Sequence, residues 1–227
     1  MQSVRLKKST TFSLLTRNCR FLPFLSALIV AAGMLPSQAQ DTQTAPKQKF
    51  DVGVGGFYQV TNQANGNFVV DDTTESGGAL FSLRQPYRPW LGWEANVGYT
   101  KFYEAYNKNV VKVENNVTDF SFSYLFQSPT VYGVQPYASI GGGVIVFSPI
   151  SGTLTNLLSP TTTSLPSQLV PEFAYNFGLN YPIFSRLGIR GGLRGLRYKT
   201  PDFHQNYLDT RNLRNTLEPN ISIYYRF

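Results

Sequence analysis

Apolar and polar residues alternate along most of this chain, most clearly over its last segment, Leu217 to Phe227 (L-E-P-N-I-S-I-Y-Y-R-F). Leu217, Pro219, Ile221, Ile223, Tyr225 and Phe227 share one side of an extended strand, opposite Glu218, Asn220, Ser222, Tyr224 and Arg226, because successive strand side chains point to opposite faces. One face suits hydrocarbon and the other suits water. A tilted strand of about ten residues is long enough to cross a bilayer.

The same alternation recurs upstream. Phe50, Val52, Val54, Tyr58 and Val60 oppose Asp51, Gly53, Gly55 and Gln59; Ala79, Phe81 and Leu83 oppose Ser82 and Arg84. Leu91, Trp93, Ala95, Val97 and Tyr99 oppose Glu94, Asn96, Gly98 and Thr100; Phe120, Phe122, Tyr124 and Phe126 oppose Asp119, Ser121, Ser123 and Gln127. Ala138, Ile140, Val144 and Val146 mark a fifth segment, interrupted by Gly141 to Gly143. Phe173, Tyr175, Phe177, Leu179 and Tyr181 face away from Glu172, Asn176, Gly178 and Asn180, and Leu187, Ile189 and Leu193 away from Arg190 and Arg194. With the closing segment, eight strands are predicted.

Their connections alternate in length. Short turns are predicted at Arg88 to Trp90, Ser128 to Tyr132 and Pro182 to Arg186, and long polar loops at Asn62 to Glu75, Glu104 to Glu114, Pro149 to Gln168 and Thr200 to Asn212. The pattern predicts an all-β fold, an eight-stranded antiparallel up-and-down transmembrane β-barrel over residues 50–227. A soluble lipocalin-like barrel would share the strand number but turn its apolar positions inward. Aromatic residues support the membrane reading: Tyr87, Trp90, Trp93, Phe126, Tyr132, Tyr181, Phe184, Tyr225 and Phe227 lie near the short turns, and Tyr58, Tyr99, Tyr103, Phe147, Phe173 and Tyr198 near the long loops. Two belts at bilayer interfaces are the expectation.

The first 39 residues change the charge picture. Arg5, Lys7, Lys8, Arg17 and Arg20 precede an apolar run, Phe21 to Leu35, and Ser37-Gln38-Ala39 offers a cleavage site, so residues 1–39 read as a signal peptide and 40–49 as a flexible periplasmic leader. The run is short for a spanning helix and contains Pro23. Cleavage would leave 15 basic residues against 13 acidic ones, lowering the formal charge from +7 to +2 and removing the basis for a nucleic-acid footprint. Cys19, the single cysteine, leaves with the same segment, so no disulfide is expected.

Eight alternating strands, alternating loop lengths and the terminal Y-Y-R-F resemble the small OmpA/OmpX-type outer-membrane β-barrel proteins over roughly Phe50 to Phe227. The resemblance implies a place in the cell outer membrane, contact with its lipid and lipopolysaccharide, and a monomer. In such proteins Tyr225 and Phe227 would form the signal read by the barrel-assembly machinery. The anchoring role of longer relatives has no peptidoglycan-binding domain here to support it.

The predicted inner face carries Asp51, Glu94, Asp119, Glu172 and Glu218 with Arg84, Arg190, Arg194 and Arg226. An eight-stranded barrel is filled by its own side chains, so these charges are expected to pair as a structural network; a narrow gated pore is the alternative. His204, the single histidine, falls in a loop with Asp202 two residues before it. The lipid A deacylases of this architecture place a serine two residues from their histidine, and Asn206 stands there here. Asp71, Asp72 and Glu75 lack the spacing of a calcium loop, and the glycine runs lack the helix of a phosphate cradle. Leu154 to Ser167 is rich in Ser, Thr, Leu and Pro, open to lipid or partner contact or to a simple loop role. The expectation is a non-enzymatic protein without cofactor or metal, serving a structural, surface-interaction or small porin-like role. A lipid A-modifying enzyme is the runner-up, and a soluble binder the third reading.

Overall fold

The alternating segments pair, each with its neighbours, until the first strand meets the last. The computed structural model describes residues 50–66, 69–106, 111–156, 159–163, 165–206 and 208–227; the expected signal peptide, 1–39, and leader, 40–49, lie outside them. The strands are β1 (Asp51–Thr61), β2 (Ala64–Gly66), β3 (Val69–Thr73), β4 (Ser76–Arg88), β5 (Leu91–Tyr106), β6 (Val111–Gln127), β7 (Gln135–Asn156), β8 (Ser159–Thr163), β9 (Gln168–Pro182), β10 (Leu187–Lys199) and β11 (Leu213–Arg226). The long ones, β1, β4, β5, β6, β7, β9, β10 and β11, pair antiparallel in that order, and β1 closes the ring on β11. Asp51 thereby stands opposite both Arg226 and Arg84. Closure leaves the ring without an open edge.

Short turns stand at the three expected places, between β4 and β5, β6 and β7, and β9 and β10. The β6–β7 turn places Tyr132 and Gly133 at φ 50° and 79° between the paired Val131 and Val134, and a type I′ hairpin turn needs positive φ at both central residues. At the other end, three expected loops contain strand. β2 and β3 form a hairpin docked on β5, β8 pairs with the top of β7, and β5 and β6 stay paired up to Tyr106 and Val111. The expected loop Glu104 to Glu114 is thus mostly ladder. Thr200 to Asn212 contains no strand among its described residues.

The exterior of the lower barrel is apolar and its interior polar. Phe122, Ile221 and Ile223 are 55%, 64% and 59% exposed, whereas Arg84 and Arg194 are 0% and 1% exposed. Water does not favour such an exterior, and hydrocarbon does.

Higher up, the polarity of the two faces reverses. The outward face of β5 passes from Val97 and Tyr99 to Lys101, that of β6 from Phe120 to Asn116, Glu114 and Lys112, and that of β10 from Leu193 to Arg197 and Lys199. Over the same span the inward face passes from Asn96 and Thr100 to Phe102, and from Arg194 to Leu196 and Tyr198. Above this level the outer solvent is water, so the barrel adopts the polar-out, apolar-in order of a soluble sheet. Two members of the expected outer belt are corrected accordingly: Phe147 and Tyr198 are 0% and 3% exposed and lie inside. Tyr58, Tyr99, Tyr103 and Phe173 do face outward.

Candidate functional site: the barrel lumen

Three levels of buried arginine and one level of aromatic side chains fill the described lumen. At the short-turn end, Arg84 and Glu94, paired across β4 and β5, form a 2.9 Å ion pair. Arg190 bonds Asp51 at 2.8 Å, the Asn180 side-chain oxygen at 2.8 Å and the Ser82 hydroxyl at 3.1 Å. The Tyr137 ring lies 4.0 Å from the Arg84 guanidinium carbon, and the Tyr224 ring 4.8 Å from that of Arg190. Arg226 reaches Asp51 only at 4.0 Å and is 34% exposed at the rim. Nearby, the Tyr225 and Phe227 rings meet edge to face at 4.9 Å, and Phe227 is 68% exposed.

The second level centres on Arg194, which donates to Asp119 at 2.6 Å and to Glu218 at 2.7 Å. Gly98 makes room for it. A Cβ there would stand 1.9 Å from Asp119 Oδ2 and 3.2 Å from an Arg194 nitrogen. Glu172 points into the same region, is 7% exposed, and neither carboxylate oxygen has a hydrogen-bond partner. Of the nine sequence-predicted lumen charges, the structure joins Arg84 to Glu94, Arg190 and Arg226 to Asp51, and Arg194 to Asp119 and Glu218. Glu172 belongs to none of these pairs.

The third level was absent from the sequence reading. Arg214 pairs with Glu104 at 3.0 Å and with Asp71, whose carboxylate also accepts from it. Asn115 donates to Glu104 at 2.8 Å, and the Tyr106 hydroxyl donates to the Pro201 carbonyl at 3.0 Å. Asp71 comes from the segment Asp71 to Glu75, expected as a solvated acidic loop rather than a cation site, yet it is fully buried. It ties the β2–β3 hairpin to the barrel wall. The signal was present, since Arg214, Thr216 and Glu218 continue the inward phase of β11.

On β5, Phe102 lies between Gly98 of the second level and Glu104 of the third. Its ring meets Phe147 at 6.4 Å, and Phe147 in turn meets Tyr198 at 5.9 Å and Phe203 at 6.5 Å. Phe203 comes from the β10–β11 loop, which folds inward like a cork: Phe203 and Leu208 are 0% and 1% exposed. Positive φ at Phe203 (47°) and His204 (61°) makes the bend. Gln168 holds it from the wall, its oxygen accepting from the backbone N–H groups of Asp202 and Phe203 and its nitrogen donating to Asp202 at 3.0 Å. Partial burial alone would raise the Asp202 pKa, but hydrogen bonds from the His204 N–H, Lys199 and Gln168 hold it below the usual aspartate value. The His204 side chain is exposed, and Asp202 contacts its backbone N–H. Among the described residues, no group of three or more acidic, histidine or cysteine side chains is placed to hold a metal ion.

A closed ring of eight strands, charged within and apolar without, is the architecture of a small outer-membrane barrel. No family model and no curated protein sequence matches the chain. Among solved structures, it is similar to Neisserial surface protein A, at 12% identity and a TM-score of 0.52 over 78% of this chain and 97% of that one. It is also similar to the outer membrane protein OprG from Pseudomonas aeruginosa, at 10% identity and a TM-score of 0.55 over 82% and 99%. Identities this low carry the fold alone.

Proposed function

We propose that this protein is a non-conducting outer-membrane scaffold, held in lipid by its lower barrel and presenting its upper strands and loops at the cell surface. The observation that carries the reading is the filled lumen. Arg84, Arg190, Arg194, Arg214, Phe102, Phe147 and Phe203 are each at most 2% exposed, on successive levels from one mouth to the other. A solute path would require breaking several buried ion pairs at once, and leaving one such partner uncompensated costs about 3–5 kcal/mol. The small porin-like role is therefore the less favoured one. The fold shared with Neisserial surface protein A and OprG supports the outer-membrane location.

The reading is of a protein without catalysis of its own. Asp202 directs its oxygens to the His204 backbone, Gln168 and Lys199 rather than to an imidazole, whereas an activated nucleophile needs a base oriented by such an acid. Planar-bilayer recording of the refolded protein tests the scaffold. Current should stay at the baseline of the lipid alone, and reproducible unitary steps would replace the scaffold with a pore.

A further inference from the structure

The outward face of β10 carries Leu193, then Gly195 under the Tyr175 ring, then Arg197 and Lys199. A Cβ on Gly195 would stand 2.1 Å from that ring, so Tyr175 lies flat against the wall just below Arg197. Across the ladder Arg197 stands between Phe173 and Asn215. It occupies the level at which the exterior turns from apolar to charged.

Cations at this level are treated differently around the barrel. On β5, Lys101 is neutralised by Glu114 at 2.5 Å, and Lys199 reaches Asp202 at 3.3 Å and Asp209 at 3.5 Å. Arg197 is exposed and makes no ion pair among the described residues. A guanidinium is a planar fork of donors that matches a phosphate in bidentate fashion, and a cation near an anionic membrane surface gains about 1 kcal/mol. Leu193 and Leu217 below it and Phe173 across the ladder are exposed and offer acyl chains an apolar wall.

We propose that Arg197 holds the phosphate of an outer-leaflet lipid headgroup whose acyl chains lie on the β9–β10–β11 wall. The inference rests on the membrane location proposed above. It makes this wall a site of preferred lipid residence.

A local reporter tests it. With Cys19→Ser, a fluorophore is attached at Asn215→Cys, and the protein is refolded into phosphatidylcholine vesicles containing either spin-labelled phosphatidic acid or spin-labelled phosphatidylcholine. Half-quenching should need about fivefold less of the phosphatidic acid, the ratio that corresponds to ~1 kcal/mol. Arg197→Gln should bring the two quenching curves together, while Lys101→Gln should leave them apart. Equal curves for the Arg197 protein, or an Arg197→Gln protein that keeps the preference, would overturn the site. Loss of the preference on adding inorganic phosphate would reassign it to a free anion. Absence of quenching by either lipid would instead remove the membrane reading itself.

Discussion

Replacing Arg194 with methionine removes the one cation between Asp119 and Glu218 while keeping a side chain of similar length. Arg194 is 1% exposed and donates to both carboxylates at 2.6 and 2.7 Å, so its loss leaves two buried acids facing each other. Removing one partner of a buried ion pair costs about 3–5 kcal/mol, and the shared geometry places this variant toward the upper end. Adding Asp119→Asn and Glu218→Gln removes the stranded charge, and the triple variant should recover most of the loss, because neutral replacement of a whole buried network is often close to neutral. Urea unfolding from lipid vesicles, followed by the fluorescence of Trp90 and Trp93, measures both. A single variant within about 0.5 kcal/mol of the parent, the range of an ordinary surface change, would show that the level does not hold the barrel together.

Other outcomes follow from the same contacts. Gly98→Ala puts a methyl group where Asp119 Oδ2 now lies, 1.9 Å away, so it should destabilise by about 1–3 kcal/mol, and the cost should shrink when Asp119 is also replaced by alanine; equal costs in both backgrounds would refute the packing. Phe203→Ala empties a fully buried position of the cork and should cost about 3–5 kcal/mol while speeding hydrogen exchange at Phe102 and Tyr198; unchanged exchange would mean the loop does not seal the mouth. For Asp202, the folded pKa lies below the ordinary 3.8, so the stability its ionised form gives the cork is present above that pH and lost as pH falls beneath it. Proteolysis near the β10–β11 loop should accelerate below that value in the parent and be insensitive to pH there in Asp202→Asn; identical pH profiles would remove Asp202 as the anchor.

The lower barrel was legible because one rule governs it. Lipid outside and a crowded lumen inside impose apolar-out alternation, and Phe120 to Phe126 or Ile221 to Tyr225 display that rule, with Leu125 and Tyr224 as the exceptions on the inward face. The upper barrel was misread because the outer solvent changes within single strands. Phe102, Phe147 and Tyr198 keep the inward phase of Asn96, Ile145 and Arg194, yet their chemistry resembles that of the outward residues below. A search for apolar-out alternation therefore ends β5, β6 and β7 too early and assigns their tops to loops. Arg214 and Glu104 were missed for the same reason. Glu172 shows a second limit: its inward phase was plain, but phase alone does not select a partner, and Arg194 is already engaged by Asp119 and Glu218.

The reversal of polarity along one strand can be measured directly. On a Cys19→Ser background, nitroxide labels at Phe126, Phe122, Phe120, Asn116 and Lys112 scan the outward face of β6 in protein refolded into vesicles. Collision with oxygen, which concentrates in hydrocarbon, should dominate at Phe122 and Phe120, and collision with a water-soluble nickel chelate should take over at Asn116 and Lys112. A label at Phe120 that meets the nickel chelate as readily as one at Lys112 would contradict the account.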